Sequence, residues 1–264
     1  MTVVPQGVSE KMKHQIKAAL DEVEKEFDVR ILYACESGSR GWGFASPDSD
    51  YDVRFIYVHP PEWYLRVEPQ RDVIERPLTS ELDVCGWEWR KALALLNRGN
   101  PTLIEWLDSP VIYRQDDVAT NRLRQLIPGC FSALKASHHY LSIARKNFRT
   151  YLQDERVRLK KYFYVLRSLL AVQWIAEGKG APPMQFEVLL NAMVTDPALL
   201  AEVRALLKLK CSAVETDMVE RQPHIHAFIA RSLETAIVTS QPAKDERINA
   251  ALDRLLFETV MTGV

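Results

Sequence analysis

Ile16, Leu20, Val23 and Phe27 recur at three- and four-residue spacing between lysines and glutamates, which predicts an amphipathic helix over 8–28. The short apolar run 29–34, rich in β-branched and aromatic residues, predicts a strand. Residues 36–50 are dense in Gly, Ser, Pro and Asp and read as a loop. A second strand, 51–58, alternates, and His59-Pro60-Pro61 ends it because proline cannot donate to a central ladder. Strands are expected at 72–75, 81–87 and 111–113, and helices at 88–96 and 101–107.

From about Gln115 the two-residue alternation fades and helical periodicity takes over. Helices are expected at 115–126, 131–153, 155–177, 185–194, 197–211, 221–237 and 243–261, with Pro128-Gly129 and 178–183 as punctuation. The expected fold class is therefore α+β: a small mixed β-sheet domain over 1–125, followed by an all-helical domain over 126–264.

Composition narrows the function classes. The net charge of −1 and pI of about 6.6 mean that any nucleic-acid or membrane-surface site must be local. The four cysteines show no Cys-x-x-Cys spacing and no zinc pattern, which suits a reducing, cytoplasmic setting. No signal peptide is expected. No apolar run approaches the roughly 18 residues of a membrane-spanning helix, so no membrane partner is expected.

The chemistry is concentrated in one stretch. Asp50 and Asp52 are two apart on an expected strand, so both carboxylates leave the same face and repel each other. A bound hard cation, Mg²⁺ or Mn²⁺, is the commonest reason for such a pair. Asp83, flanked by Leu82 and Val84 on a later strand, can complete the ligand set, with Glu81 of the same parity as the alternative. Two such ions would bridge an attacking hydroxyl and a nucleoside triphosphate. Ahead of the carboxylates, Gly38 lets the backbone approach a ligand, while Ser39 and Arg40 offer a hydroxyl and a guanidinium to triphosphate oxygens. Trp42 is expected to anchor this loop by packing.

Gly38-Ser39, a ten-residue spacer and Asp50-Tyr51-Asp52-Val53 resemble the signature of the DNA polymerase β nucleotidyltransferase superfamily, and Asp83 matches its third carboxylate. Residues 36–58, with Pro60-Pro61-Glu62-Trp63-Tyr64, resemble the RlaP-type group of bacterial nucleotidyltransferases linked to RNA repair. Asn100-Pro101-Thr102-Leu103-Ile104-Glu105-Trp106 and Lys161-Tyr162-Phe163-Tyr164 extend that resemblance over roughly residues 25–190. It implies a palm-like sheet and transfer of a nucleoside monophosphate from an NTP, ATP being the first choice. Tyr51 stands where the family pattern has an aliphatic residue.

In related nucleotidyltransferases a helical domain closes the nucleotide cleft. Residues 145–167 concentrate arginines and lysines, with tyrosines among them suited to stacking on a base. Lys146, Lys161, Tyr164 and Arg167 are accordingly expected to bind nucleotide or acceptor. His224 and His226 are read as surface residues. An RNA end is the expected acceptor. The alternatives are a protein hydroxyl, as in an antitoxin-like adenylyltransferase, and a non-catalytic nucleotide sensor.

Overall fold

The computed structural model describes residues 7–77, 81–212, 214, 217–236 and 247–262. In chain order the elements are α1 (Glu10–Phe27), β1 (Arg30–Glu36), α2 (Gly38–Trp42), β2 (Tyr51–Val58), α3 (Pro61–Tyr64), β3 (Val73–Pro77), β4 (Leu82–Glu88), α4 (Trp89–Asn97), α5 (Pro101–Leu107), β5 (Ile112–Gln115) and α6 (Asp117–Cys130). They continue with α7 (Ala133–Tyr151), β6 (Arg156–Arg158), α8 (Leu159–Ala176), α9 (Phe186–Met193), α10 (Pro197–Ser212), β7 (Met218–Glu220), α11 (Pro223–Thr235) and α12 (Arg247–Thr262). The helix ends expected at 237 and 243 fall outside the described residues.

The chain forms two compact units, each made of discontinuous segments. The first, a sheet unit, contains the described residues up to Gly41, those of 50–131 and helix α12. The second, a helical unit, contains the described residues of 132–242 together with Trp42–Ser49. The expected division at residue 125 follows the chain, whereas these units exchange one loop and the last helix across it.

In the sheet unit five strands run in the order β3-β4-β2-β1-β5. β2 and β4 are parallel and the other pairs antiparallel, which makes the sheet mixed. Helix α1 begins at Ser9, whose hydroxyl accepts from Met12 N–H. Its stripe of Ile16, Leu20 and Val23 packs with Val53, Phe55, Tyr57, Val84 and Ile74 from one sheet face. Gly86 is required there, because a Cβ would lie 2.2 Å from the Phe55 ring. Helix α5 opens on an Asn100 cap with Pro101 in its first turn. Tyr33 of β1 donates to the Trp106 carbonyl of α5 at 2.7 Å.

The helical unit is built around α8, whose Tyr162, Phe163, Val165, Leu166, Leu169 and Leu170 are all buried. Phe44, from the loop after α2, packs with its ring centroid 5.2 Å from Phe163, tilted, and 5.7 Å from Phe186, edge-on. The unit is not wholly helical, since β6 and β7 form a two-stranded ribbon. Three residues per strand are too few to produce a readable alternation. His226 corrects the sequence reading: it is buried, not on the surface. Tyr162 O–H and its Nδ1 share a hydrogen bond at 3.0 Å, and its Nε2 lies 2.9 Å from the Leu152 carbonyl. Tyr162 oxygen in turn accepts from Gln222 N–H at 2.9 Å, so the buried imidazole and hydroxyl are both hydrogen-bonded.

Candidate active site

The parallel pairing of β2 with β4 sets Asp52 directly opposite Asp83. Two carboxylates so placed repel, and one guanidinium answers both: Arg54 Nη2 donates to Asp52 Oδ1 at 2.9 Å and to Asp83 Oδ2 at 2.8 Å. Arg54 follows Asp52 by two residues, hence leaves the same strand face. The cluster stays open to water, with the Asp52 and Asp83 side chains 33% and 53% exposed. Asp50 precedes the first residue of β2 and is exposed. Glu81 is likewise exposed and precedes β4, with its carbonyl accepting from Tyr51 N–H at 2.7 Å.

Gly38 begins α2, where the sequence pattern indicates only loop, and it has φ +59. A Cβ on it would lie 2.1 Å from Asp52 Oδ2, so glycine here leaves space for the Asp52 carboxylate. Ser37 N–H donates to the Asp52 carbonyl at 2.8 Å, tying the turn to β2. Ser39 is partly buried. Arg40 is buried, its Nε donating to the Asp50 carbonyl at 3.3 Å and its guanidinium 3.9 Å from the Tyr51 ring centroid. Tyr51, the aromatic departure from the family pattern, thus supplies a ring for Arg40 to cover.

Glu36 is a further residue of this neighbourhood whose role the sequence reading leaves unassigned. It is buried at the end of β1; one carboxylate oxygen accepts from Asp52 N–H at 2.9 Å and the other from Tyr113 O–H. Burial pushes its carboxyl up to about 7, against the lowering effect of the Tyr113 hydrogen bond. An acidic residue closing an apolar strand run is the signal that marks it.

The basic residues expected to bind nucleotide have different surroundings. Lys146 is exposed on α7. Lys161 Nζ lies 4.4 Å from the Tyr151 ring centroid and 4.9 Å from that of Tyr164. Tyr164 meets Trp42 edge-on at 5.1 Å. Arg167 is buried, donating through Nε to the Met184 carbonyl at 3.1 Å and covering the Trp42 ring at 4.8 Å. Lys161, Tyr164, Arg167 and Trp42 therefore form one cluster, from which Arg167 faces the protein interior. Lys210 joins this set of cations unheralded. It is 1% exposed, and its Nζ donates to Ser46 Oγ at 2.7 Å. Its place on the apolar stripe of Val203, Leu206 and Leu207 is the signal that could have found it.

The family model described as RlaP, RNA repair pathway DNA polymerase beta family, matches residues 12–258. The chain belongs to this family. The uncharacterized protein YcgL of Bacillus subtilis (strain 168) is 45% identical over 251 residues, which cover 94% of this chain and 96% of that protein. A nucleotidyltransferase-like protein from Exiguobacterium sibiricum 255-15 aligns at 14% identity and a TM-score of 0.30, over 96% of this chain and 80% of its own. As a member of the RlaP family the chain is a nucleotidyltransferase of the DNA polymerase β superfamily, with transfer of a nucleoside monophosphate as its general reaction. Among the described residues no helix is long and apolar enough to cross a membrane.

Proposed function

We propose that the RlaP-family chain transfers NMP from an NTP, ATP first, to a hydroxyl at an RNA end, in a reaction dependent on Mg²⁺ or Mn²⁺. The observation that carries this reading is the facing pair Asp52 and Asp83, which draws one positive charge between two open carboxylates. Hard carboxylate oxygens converging on a cation are the donor chemistry that suits a divalent ion. Among the described residues no three Asp, Glu, His or Cys side chains form a ready-made ligand group, so the reading requires Asp50 to turn inward and Arg54 to yield. Asp50, Asp52 and Asp83 would hold the metal, with Asp83 preferred over Glu81 because it stands in register with Asp52. Bound there, the ion supplies Lewis-acid stabilisation of phosphate charge.

The chain's own part follows from its geometry. Asp83 takes the proton of the acceptor hydroxyl as its oxygen attacks the α-phosphorus, and the bond to pyrophosphate breaks in line. Gly38 and Ser39 present backbone and hydroxyl to the triphosphate, and Arg40, backed by Tyr51, adds charge. Lys146, Lys161 and Tyr164 contribute cation and ring to nucleotide or acceptor, and Arg167 holds Trp42 in their cluster. The RNA acceptor is supported by the family's printed association with an RNA repair pathway.

The test is incubation with each α-labelled NTP and Mg²⁺ or Mn²⁺, offering cellular RNA and whole-cell protein as acceptors. Label on RNA that disappears in Asp52→Ala is the expected result. Label on protein would replace the RNA reading with protein adenylylation. Metal-dependent NTP binding with no label on any acceptor would point to a sensor.

A further inference from the structure

Away from the carboxylates, the sheet unit carries a second concavity of about 380 Å³, between the segment after α3 and helix α4. It lies at the C-terminal end of β4, five residues beyond Asp83, or roughly 16 Å at the rise of a strand. Its size falls in the range of small-ligand pockets and suits about one nucleotide.

The lining combines rings with cations. Trp63 and Tyr64 meet edge-on at 5.0 Å, and Trp63 is backed by His59, stacked at 4.3 Å. The Arg90 guanidinium lies 4.9 Å from the Tyr64 ring centroid, and Arg66 and Arg98 also line the space. At its base, Glu88 is 1% exposed and is held by Tyr64 O–H and by Lys91 N–H at 3.1 Å. The Lys91 ammonium is itself paired with Asp72 at 2.8 Å. Of the acidic lining residues, Glu88 and Asp72 are thus answered inside the protein and Glu68 is exposed, as are Arg90 and Arg66, the latter donating to Gln70 Oε1 at 3.3 Å. Aromatic faces for a base beside guanidinium groups for phosphate are the combination used for single-stranded nucleic acid.

We propose that this concavity is a second nucleotide site, which takes a nucleotide unit of single-stranded RNA outside the reacting centre. The choice of RNA rests on the acceptor reading above, but the nucleotide chemistry does not. A free mononucleotide offers the same base and phosphate, so both sources are tested. The site gives the enzyme a hold on the acceptor strand separate from its reactive end.

The experiment measures binding of a short fluorescent single-stranded oligoribonucleotide, and separately of AMP, to the full chain and to Arg66→Ala/Arg90→Ala. Both substituted side chains are exposed, and an unchanged thermal midpoint confirms the fold. RNA affinity is expected to fall roughly tenfold or more, with a shallower salt dependence. Arg90→Lys, which keeps charge but loses the planar stack, is expected to fall less. Loss confined to RNA identifies the strand as the source; loss of AMP binding as well identifies a free nucleotide site. Photo-crosslinking of RNA carrying 4-thiouridine should mark Trp63 or Tyr64. Unchanged affinity of the double variant for both ligands, binding of neither by the parent chain, or crosslinks only elsewhere would overturn the proposal. RNA labelling with unchanged variant affinity would remove this site alone, whereas variant-sensitive RNA binding without RNA labelling would remove the acceptor reading alone.

Discussion

In the sheet unit, Arg54, itself 18% exposed, lies between two carboxylates that are 33% and 53% exposed. In the helical unit, Lys210 and Arg167 are 1% and 3% exposed and are held by a serine hydroxyl, a backbone carbonyl and an indole face. The same kind of charge serves two ends. Near water, an ion pair is worth little and can be exchanged for a ligand at small cost. A buried cation cannot leave its partners without a desolvation penalty of several kcal/mol, so it fixes structure. What Lys210 and Arg167 fix is the segment Trp42–Ser49, which runs from the glycine turn of Gly38 to the carboxylate strand at Asp50. Chemistry is thus expected from the open cluster and stability from the closed one.

The sharpest way to break this comparison is Asp52→Ala. NMP transfer should fall about a thousandfold, or about 4 kcal/mol of barrier. The urea midpoint should move little, because Arg54 keeps its pair with Asp83 when Asp52 is removed. A variant that lost stability but kept its rate would make the open cluster structural and defeat the distinction.

Lys210→Ala should show the reverse. Deleting the buried stem and its hydrogen bond to Ser46 is expected to cost about 3 kcal/mol of stability. The Ser46 hydroxyl would keep its contact with Ser49 Oγ, at 2.9 Å. Lys210→Met, which refills the volume, should recover about half of the loss in a urea titration. Equal losses in both variants would mean that the charge, rather than the stem, carries the effect.

These two residues also show what the sequence could convey. The carboxylates were legible because strand parity and spacing are local properties, and the strand carrying Asp52 has the limits Tyr51–Val58 that its alternation indicates. Helix α5, Pro101–Leu107, has the limits expected for it. The apolar stripe of α10 marks Lys210 as buried, but not its partner Ser46, and the burial of His226 is decided by Tyr162 and Leu152, which are likewise distant in sequence. Helix α2 lies in a stretch that reads as loop because two glycines in five residues oppose helix formation, and here tertiary contacts override that preference. Pro128 reads as a breaker, yet α6 runs through it to Cys130, since a proline so near the end forfeits little of the ladder. The bridging of both strands by Arg54 depends on the β2–β4 register, which no single segment contains.

Gly38→Ala probes the boundary between the two behaviours. A residue at φ +59 costs about 1–2 kcal/mol when it gains a Cβ. The new methyl group would also displace Asp52 Oδ2, 2.1 Å away, so the rate should fall more than the stability. Proportionate losses, seen by comparing the urea midpoint with the transfer rate, would separate the turn from the catalytic carboxylate.

The smallest effect concerns His59, which lies beside the second concavity. It stacks on Trp63 and meets Tyr57 edge-on, and burial lowers its pKa from 6.5 to about 4, assisted by the nearby Arg66 charge and opposed by Asp28. Because the folded value is below the unfolded one, the unfolded chain binds the extra proton first. The stability gained by keeping His59 neutral is therefore fully present above pH 6.5 and is lost as pH falls from 6.5 toward 4. With allowance for solvent screening the loss is on the order of 1–2 kcal/mol. Urea titrations across this window should show a slope in the parent chain that flattens in His59→Asn. An equal slope in both would assign the acid sensitivity to carboxyl groups instead, and would leave the stacked imidazole a purely packing role beneath Trp63.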